Sequence, residues 1–199
     1  MDITSFIKDN LKVLKIAFKF TSNATKPVLQ GVLIDSNNIV ATNGIIMYIK
    51  KHNTNIDKSF VISKDILKAC NKAIKIVLND DNIICYYNDN TSVKNYLISY
   101  TYPEYKRLIP DLSLYNNSFV VDINNVNKDI RKSDYVNNVS YNINADDLIL
   151  LQPMVDINNV NTDNIVLCST ITIKLAKAIN KKSLIVNHSN NIHKPVIIS

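Results

Sequence analysis

The residues with the clearest chemical pattern are lysines. Lys8, Lys12, Lys15 and Lys19 follow one another in steps of four, three and four. Lys64, Lys68, Lys72 and Lys75 step by four, four and three. On a helix, such steps keep side chains on one face. Two further sets come later: Lys128, Arg131 and Lys132, then Lys174, Lys177, Lys181 and Lys182. Rows of ammonium groups, without arginine forks or interleaved aromatics, suit contact with phosphates and no reading of bases. Binding of that kind ignores nucleotide sequence and weakens steeply with salt.

The competing reading is that these are ordinary solvated helix faces, since lysine forms helices well. The charge distribution speaks against it. Exposed helices usually mix lysine with glutamate, and glutamate occurs once in the 199 residues, at Glu104. Like charges at i,i+4 cost roughly 0.2–0.5 kcal/mol per pair. Fifteen of the 23 basic residues lie on four short segments that hold three of the 17 acidic ones. The rest of the chain is left net acidic. A formal net charge of +6 therefore conceals basic helices on an acidic remainder, a pattern that points to a shared polyanionic partner.

Other chemistry finds little footing. Asp80-Asp81 and Asp146-Asp147 fall in turns between strands, where aspartate is favoured for backbone reasons. His52, His188 and His193 lack metal-ligand spacing and are expected to be solvent-exposed. Cys70, Cys85 and Cys168 form neither a disulfide framework nor a zinc pattern and read as free thiols of a reducing cytoplasm. No glycine loop could cradle a phosphate. No catalytic residue, metal or cofactor is expected. The first residues, MDITSFIKDNLK, lack an apolar signal core, and no apolar run approaches about 18 residues, so neither secretion nor a membrane span is expected.

The elements that must carry the lysines follow from hydrophobic spacing. Phe6, Ile7, Leu11, Leu14 and Phe18 predict a helix over 5–19, and Ser63 caps a second over 63–75. Between them, 28–34 reads as a strand. Asn43-Gly44 joins 39–42 to 45–49 in a hairpin, because both turn residues tolerate positive φ. Strands are expected over 75–78, 83–87 and 96–100. A proline-bracketed stretch, YPEYKRLIP, follows at 102–110. The second half repeats the order: strand 119–123, helix 124–132, hairpin 139–144 with 148–151, strand 165–169, helix 172–182, and closing strands 184–187 and 196–199. The class is α+β, with two tandem domains, 1–113 and 114–199, each with two helices on antiparallel sheet.

Three motifs add a resemblance. KPVLQGVLI followed by IVATNGIIM, the stretch YPEYKRLIP, and ITIKLAKAINKKSLIV with KPVIIS are similar to the bacterial sliding clamp, the β subunit of the replicative DNA polymerase. They match, in order, the last two of that family's three domains. The resemblance implies a DNA clamp fold in which six domains close into a ring, helices lining the hole. It implies that the lysine rows face duplex DNA. It also implies a homo-oligomer, a trimer for a two-domain chain, and partners in a polymerase and a clamp loader that dock through a short peptide. The family's peptide pocket carries over to Thr42, Gly44, Met47, Leu108, Ile109, Pro110, Val196, Ile197 and Ile198. Two departures stand out. Asn43-Gly44-Ile45-Ile46 lacks the family's charged pair, and the tail ends Val196-Ile197-Ile198-Ser199. They keep open an alternative, a clamp-like interaction protein that binds replication partners without encircling DNA.

Overall fold

The computed structural model describes residues 1–22, 26–115, 117–122, 130–131, 147–151, 166–167, 175–188 and 195–198. The chain falls into two compact units, Met1–Pro103 and Glu104–Ser199. The fold is α+β, with antiparallel sheets and few helices.

In the first unit, the helix expected over 5–19 is two helices, α1 (Thr4–Asp9) and α2 (Leu11–Ala17). Asn10 makes the break. Its side-chain amide donates to the Phe6 carbonyl at 2.9 Å, so side chain and backbone compete for one acceptor. The chain then tightens after Ala17, where Lys19 N–H and Phe20 N–H bond three residues back, to Ile16 and Ala17. Phe6, Ile7, Leu14 and Ala17 are buried, which fixes the inward face.

The strand expected over 28–34 begins late. Pro27, with its preset φ, opens a 3-10 turn over Pro27–Gln30, and β1 is only Val32–Ile34. Between them, Gly31 sits where a Cβ would press on Val61 Cγ1, Ile98 Cδ1 at 2.7 Å and the Ile62 carbonyl oxygen at 2.9 Å. Strands β2 (Asn38–Thr42) and β3 (Ile46–Lys51) form the hairpin. Its turn is built by side chains. Asn43 Oδ1 accepts the N–H groups of Ile45 and Ile46, and Thr42 Oγ1 accepts from Gly44 and donates to the Ile46 carbonyl. Gly44 has φ 93°, which glycine adopts without strain. A further strand that hydrophobic spacing did not predict, β4 (Phe60–Ile62), pairs with β1 and completes an antiparallel sheet of order β4-β1-β2-β3.

Ser63 caps α3 (Lys64–Lys72), its hydroxyl accepting from Ile66 N–H at 3.2 Å. A second sheet follows, β5 (Lys75–Leu78), β6 (Asn82–Tyr86) and β7 (Ser92–Tyr96), in that spatial order. The last strand lies four residues earlier than expected. The N-terminus lies along β5, with Ile3 N–H bonded to the Ile76 carbonyl and Ile76 N–H to Thr4 Oγ1. Ile66, Leu67 and Cys70 of α3 are buried with Ile76, Leu78, Ile83 and Cys85 of the sheet.

The second unit opens with 3-10 turns at Tyr105–Leu108 and Leu112–Leu114. Strand β8 (Asn117–Asp122) precedes β9 (Ile130–Arg131), β10 (Asp147–Leu151), β11 (Val166–Leu167), β12 (Ser183–His188) and β13 (Val196–Ile198). Four of them form an antiparallel sheet of order β10-β13-β12-β8. The helix expected over 124–132 does not extend to its end: Ile130 and Arg131 pair instead with Leu167 and Val166. Its other residues lie outside the described ones, as does the hairpin arm 139–144. Residues 175–179 are helical and end on Asn180, at φ 58°. Lys181 N–H bonds to the Ala176 carbonyl at 2.9 Å, closing the helix in a left-handed cap.

Gly31→Ala is expected to lower stability by about 1–3 kcal/mol, because the Ile62 carbonyl belongs to β4 and cannot turn aside. A chemical-denaturation series against wild type checks this. Gly44→Ala meets no atom within 4 Å and has only its backbone cost, about 1 kcal/mol.

Candidate nucleic-acid interface

The buried faces of α1, α2 and α3 decide where their lysines go. With Phe6, Ile7 and Leu14 inward, Lys8, Lys12 and Lys15 are exposed. With Ile66, Leu67 and Cys70 inward, Lys64, Lys68 and Lys72 are exposed in the same way. The structure also brings the two rows together. Lys8 Nζ donates to the carbonyls of Asn71 at 3.1 Å and Cys70 at 3.3 Å, in the last turn of α3. An ammonium there meets carbonyls at the end of the helix, that of Cys70 already accepting from Ala73 N–H, and the negative end of the helix dipole. Lys8 is thus a cap on α3 as well as a member of its own row, a role that spacing alone does not reveal. Lys72 follows immediately after the carbonyl that Lys8 holds.

Two expected members leave the helices. Lys19 lies in the turn after α2, and Lys75 lies in β5. Both remain exposed. Strand alternation puts Lys75 on the face opposite the buried Ile76. In the second unit, Lys177 is exposed on the helical stretch, and Lys181 and Lys182 are exposed just beyond it. Arg131 belongs to a strand rather than a helix. Lys128, Lys132 and Lys174 lie outside the described residues.

Three ion pairs among the described residues are weak. Asp65 pairs with Lys68 at 2.7 Å, and the bonded ammonium holds its carboxyl below the ordinary range. Lys58 pairs with Asp80 at 2.8 Å, and Arg107 with Glu104 at 2.6 Å. Each partner is more than half exposed, so these pairs contribute little. Asp80 and Asp81 sit in the β5–β6 turn, where the Asp81 carbonyl accepts from Leu97 N–H.

The histidines differ from expectation. His52 and His188 are both buried. Spacing along the chain carries no information on tertiary packing. His52 Nε2 lies 3.0 Å from the Asp35 carbonyl oxygen, and its ring meets Phe6 edge-on at 5.0 Å. It serves the core of the first unit. His193 lies outside the described residues. Among the described residues, no group of three potential ligands could hold a metal ion.

The residues expected to form a peptide pocket fall in both units. In the first, Thr42 and Met47 are buried and Gly44 is exposed at the hairpin turn, beside Ile45 at 50% exposure. The Val40 carbonyl next to them accepts from the Tyr102 hydroxyl, whose pKa burial pushes up. In the second unit, Leu108 is 54% exposed, Ile109 and Pro110 are half-buried, and Val196, Ile197 and Ile198 are buried in β13.

Compared with solved structures, the chain is similar over all its length to the β chain of DNA polymerase III from Streptococcus pneumoniae, with a TM-score of 0.60 and 17% identity. It is similar, again over its whole length, to the β subunit from Borrelia burgdorferi, at 0.58 and 15%. The fold is that of the bacterial DNA sliding clamp. A third such clamp, from Helicobacter pylori and bound to a DNA ligase peptide, matches 97% of the chain at 0.58 and 16% identity. The chain spans about three fifths of the length of these clamps, 59%, 62% and 60% in turn. No protein-family model and no curated protein matches the sequence.

On this clamp fold, Lys8 and Lys12 should separate in their effects. Lys8→Met is expected to lower stability by about 0.3–1 kcal/mol through loss of the cap on α3, and Lys12→Met to leave it unchanged. Thermal melts of the two variants in parallel check this.

Proposed function

We propose that the protein is a DNA sliding clamp that encircles duplex DNA and tethers a polymerase. The observation that carries this reading is the joining of two lysine rows at Lys8, on a chain of clamp fold. Three copies, each of two clamp-type units, join head to tail and close by rotation. The lysines of α1, α2, α3 and the 175–179 helix face the phosphates and hold no particular base. Retention then comes from topology, with no catalysis and no bound nucleotide. A polymerase and a clamp loader dock by short peptides on the hairpin around Thr42, Gly44 and Met47, on Leu108–Pro110 and on Val196–Ile198. The exposed side chains of Ile45 and Leu108 at these places suit a peptide with a few hydrophobic anchors. No helix among the described residues is long and apolar enough to cross a membrane.

A second reading is favoured by the hairpin tip, where Asn43-Gly44-Ile45-Ile46 exposes an isoleucine in place of the charged pair of the clamp pattern. On it, the protein binds replication partners, by peptide or by a host clamp, without encircling DNA.

Light scattering at tens of micromolar, alone and after crosslinking on duplex DNA, tests the ring. The clamp reading expects a particle of three chains, and a strict monomer under both conditions contradicts it. Replacing Lys12, Lys15 and Lys72 by Gln should weaken DNA association and lower its log–log salt slope by about 0.9 for each phosphate no longer neutralised. Binding to a clamp-binding peptide should be unchanged by the same replacement. Peptide binding by a protein that never oligomerises and never associates with DNA would favour the second reading.

A further inference from the structure

Cys70 and Cys85 are 15 positions apart in the sequence, on different elements. Packing of α3 on the second sheet brings their sulfurs to 3.6 Å, with both side chains fully buried and both thiols free. Cys70 lies in the last turn of α3, and Cys85 lies in the middle strand β6, paired with Ile76 and Val93. Three tethers hold that turn of α3 over the strand. One is the sulfur contact. Another is the Lys8 ammonium on the Cys70 and Asn71 carbonyls. The third is the Tyr87 hydroxyl, which donates to the Ala69 carbonyl at 3.4 Å.

We propose that Cys70 and Cys85 are a reversible dithiol–disulfide pair, oxidised by small-molecule disulfides. The sulfurs need to approach by about 1.6 Å to reach the ordinary S–S length of roughly 2.05 Å. Cys70 is two residues before the last residue of its helix, so that displacement falls on a turn that frays more readily than a helix centre. The pair is asymmetric. Either thiol can donate the hydrogen bond between the two sulfurs; that bond and burial push Cys70 up, whereas the bond pushes Cys85 down. The exchange accordingly starts with Cys85 as the first nucleophile.

When the last turn of α3 frays and admits the oxidant, Cys85 gives its proton to solvent and its thiolate attacks one sulfur of the oxidant, giving a mixed disulfide and a departing thiolate that takes up a proton. Cys70 then gives its proton to solvent and attacks the Cys85 sulfur. The Cys70–Cys85 bond forms, and the second half of the oxidant leaves as a thiolate, protonated in turn. Two protein thiols lose two electrons and two protons, and one oxidant disulfide becomes two thiols. The product ties the last turn of α3, and with it the site of Lys8, to β6.

The test uses the full chain with its three cysteines. The native protein is held with excess oxidised glutathione, free thiols are alkylated under denaturing conditions, and a proteolytic digest is mapped by mass spectrometry. The expected result is a linked Cys70–Cys85 peptide, reversed by dithiothreitol, with Tm raised on the order of 5 °C in the oxidised protein. Alkylation of both residues, a lasting glutathione adduct on either, or linkage to Cys168 would overturn the proposal. Cys85→Ser should abolish the linked peptide and the Tm rise. Should that variant fail to fold, the wild-type peptide map decides alone.

Discussion

The burial of one face of each helix in the first unit governs everything else about its surface. Phe6, Ile7 and Leu14 on one side, and Ile66, Leu67 and Cys70 on the other, cannot be turned outward without exposing several large side chains, at roughly 1.5–3 kcal/mol each. Six lysines are left on the remaining faces with little acid among them. Mutual repulsion there is a few tenths of a kcal/mol per pair, far below the gain from burial. The fold therefore tolerates the basic surface without being stabilised by it. Lys8 returns something by meeting the Cys70 and Asn71 carbonyls at the end of α3, and Lys68 a little through its exposed pair with Asp65.

That balance explains what the sequence made visible. Alternation of apolar and lysine positions located the helical stretches of the first unit, though not the break at Asn10 that divides α1 from α2, and Ser63 marked the start of α3 correctly. Elements whose pattern is set by tertiary contact were harder to see. Strand β7 is almost wholly exposed, so no period announces it. Strand β4 has three residues, all buried, too few for any period. The 3-10 turn before β1 follows from proline chemistry, but its apolar residues resemble a strand. Ile130 and Arg131 sit in a stretch with helical charge spacing and pair as a strand nonetheless.

The candidate interface was legible as a charge pattern and illegible as a geometry. Spacing gave the rows, but not their meeting at Lys8, which depends on α1 reaching the end of α3 some 62 residues away. It placed Lys75 with the helix lysines, although the helix stops at Lys72 and Lys75 belongs to β5. Histidine exposure failed for the same reason: His52 is held by Phe6 and the Asp35 carbonyl, neighbours that only the folded chain supplies. The clamp resemblance rested on short motifs, in a chain 14–17% identical to three solved clamps and matched by no curated protein.

A protein held on DNA by topology behaves differently from one held by affinity when the DNA acquires an end. The decisive measurement assembles the protein on a circular duplex at high concentration, isolates the complex by gel filtration at moderate salt, and cuts the circle once. A closed ring must stay with the intact circle and leave after the cut, with a half-life far shorter than on the uncut control. Equal retention on cut and uncut DNA would contradict encirclement, and would mark the lysines as a surface that grips rather than one that surrounds.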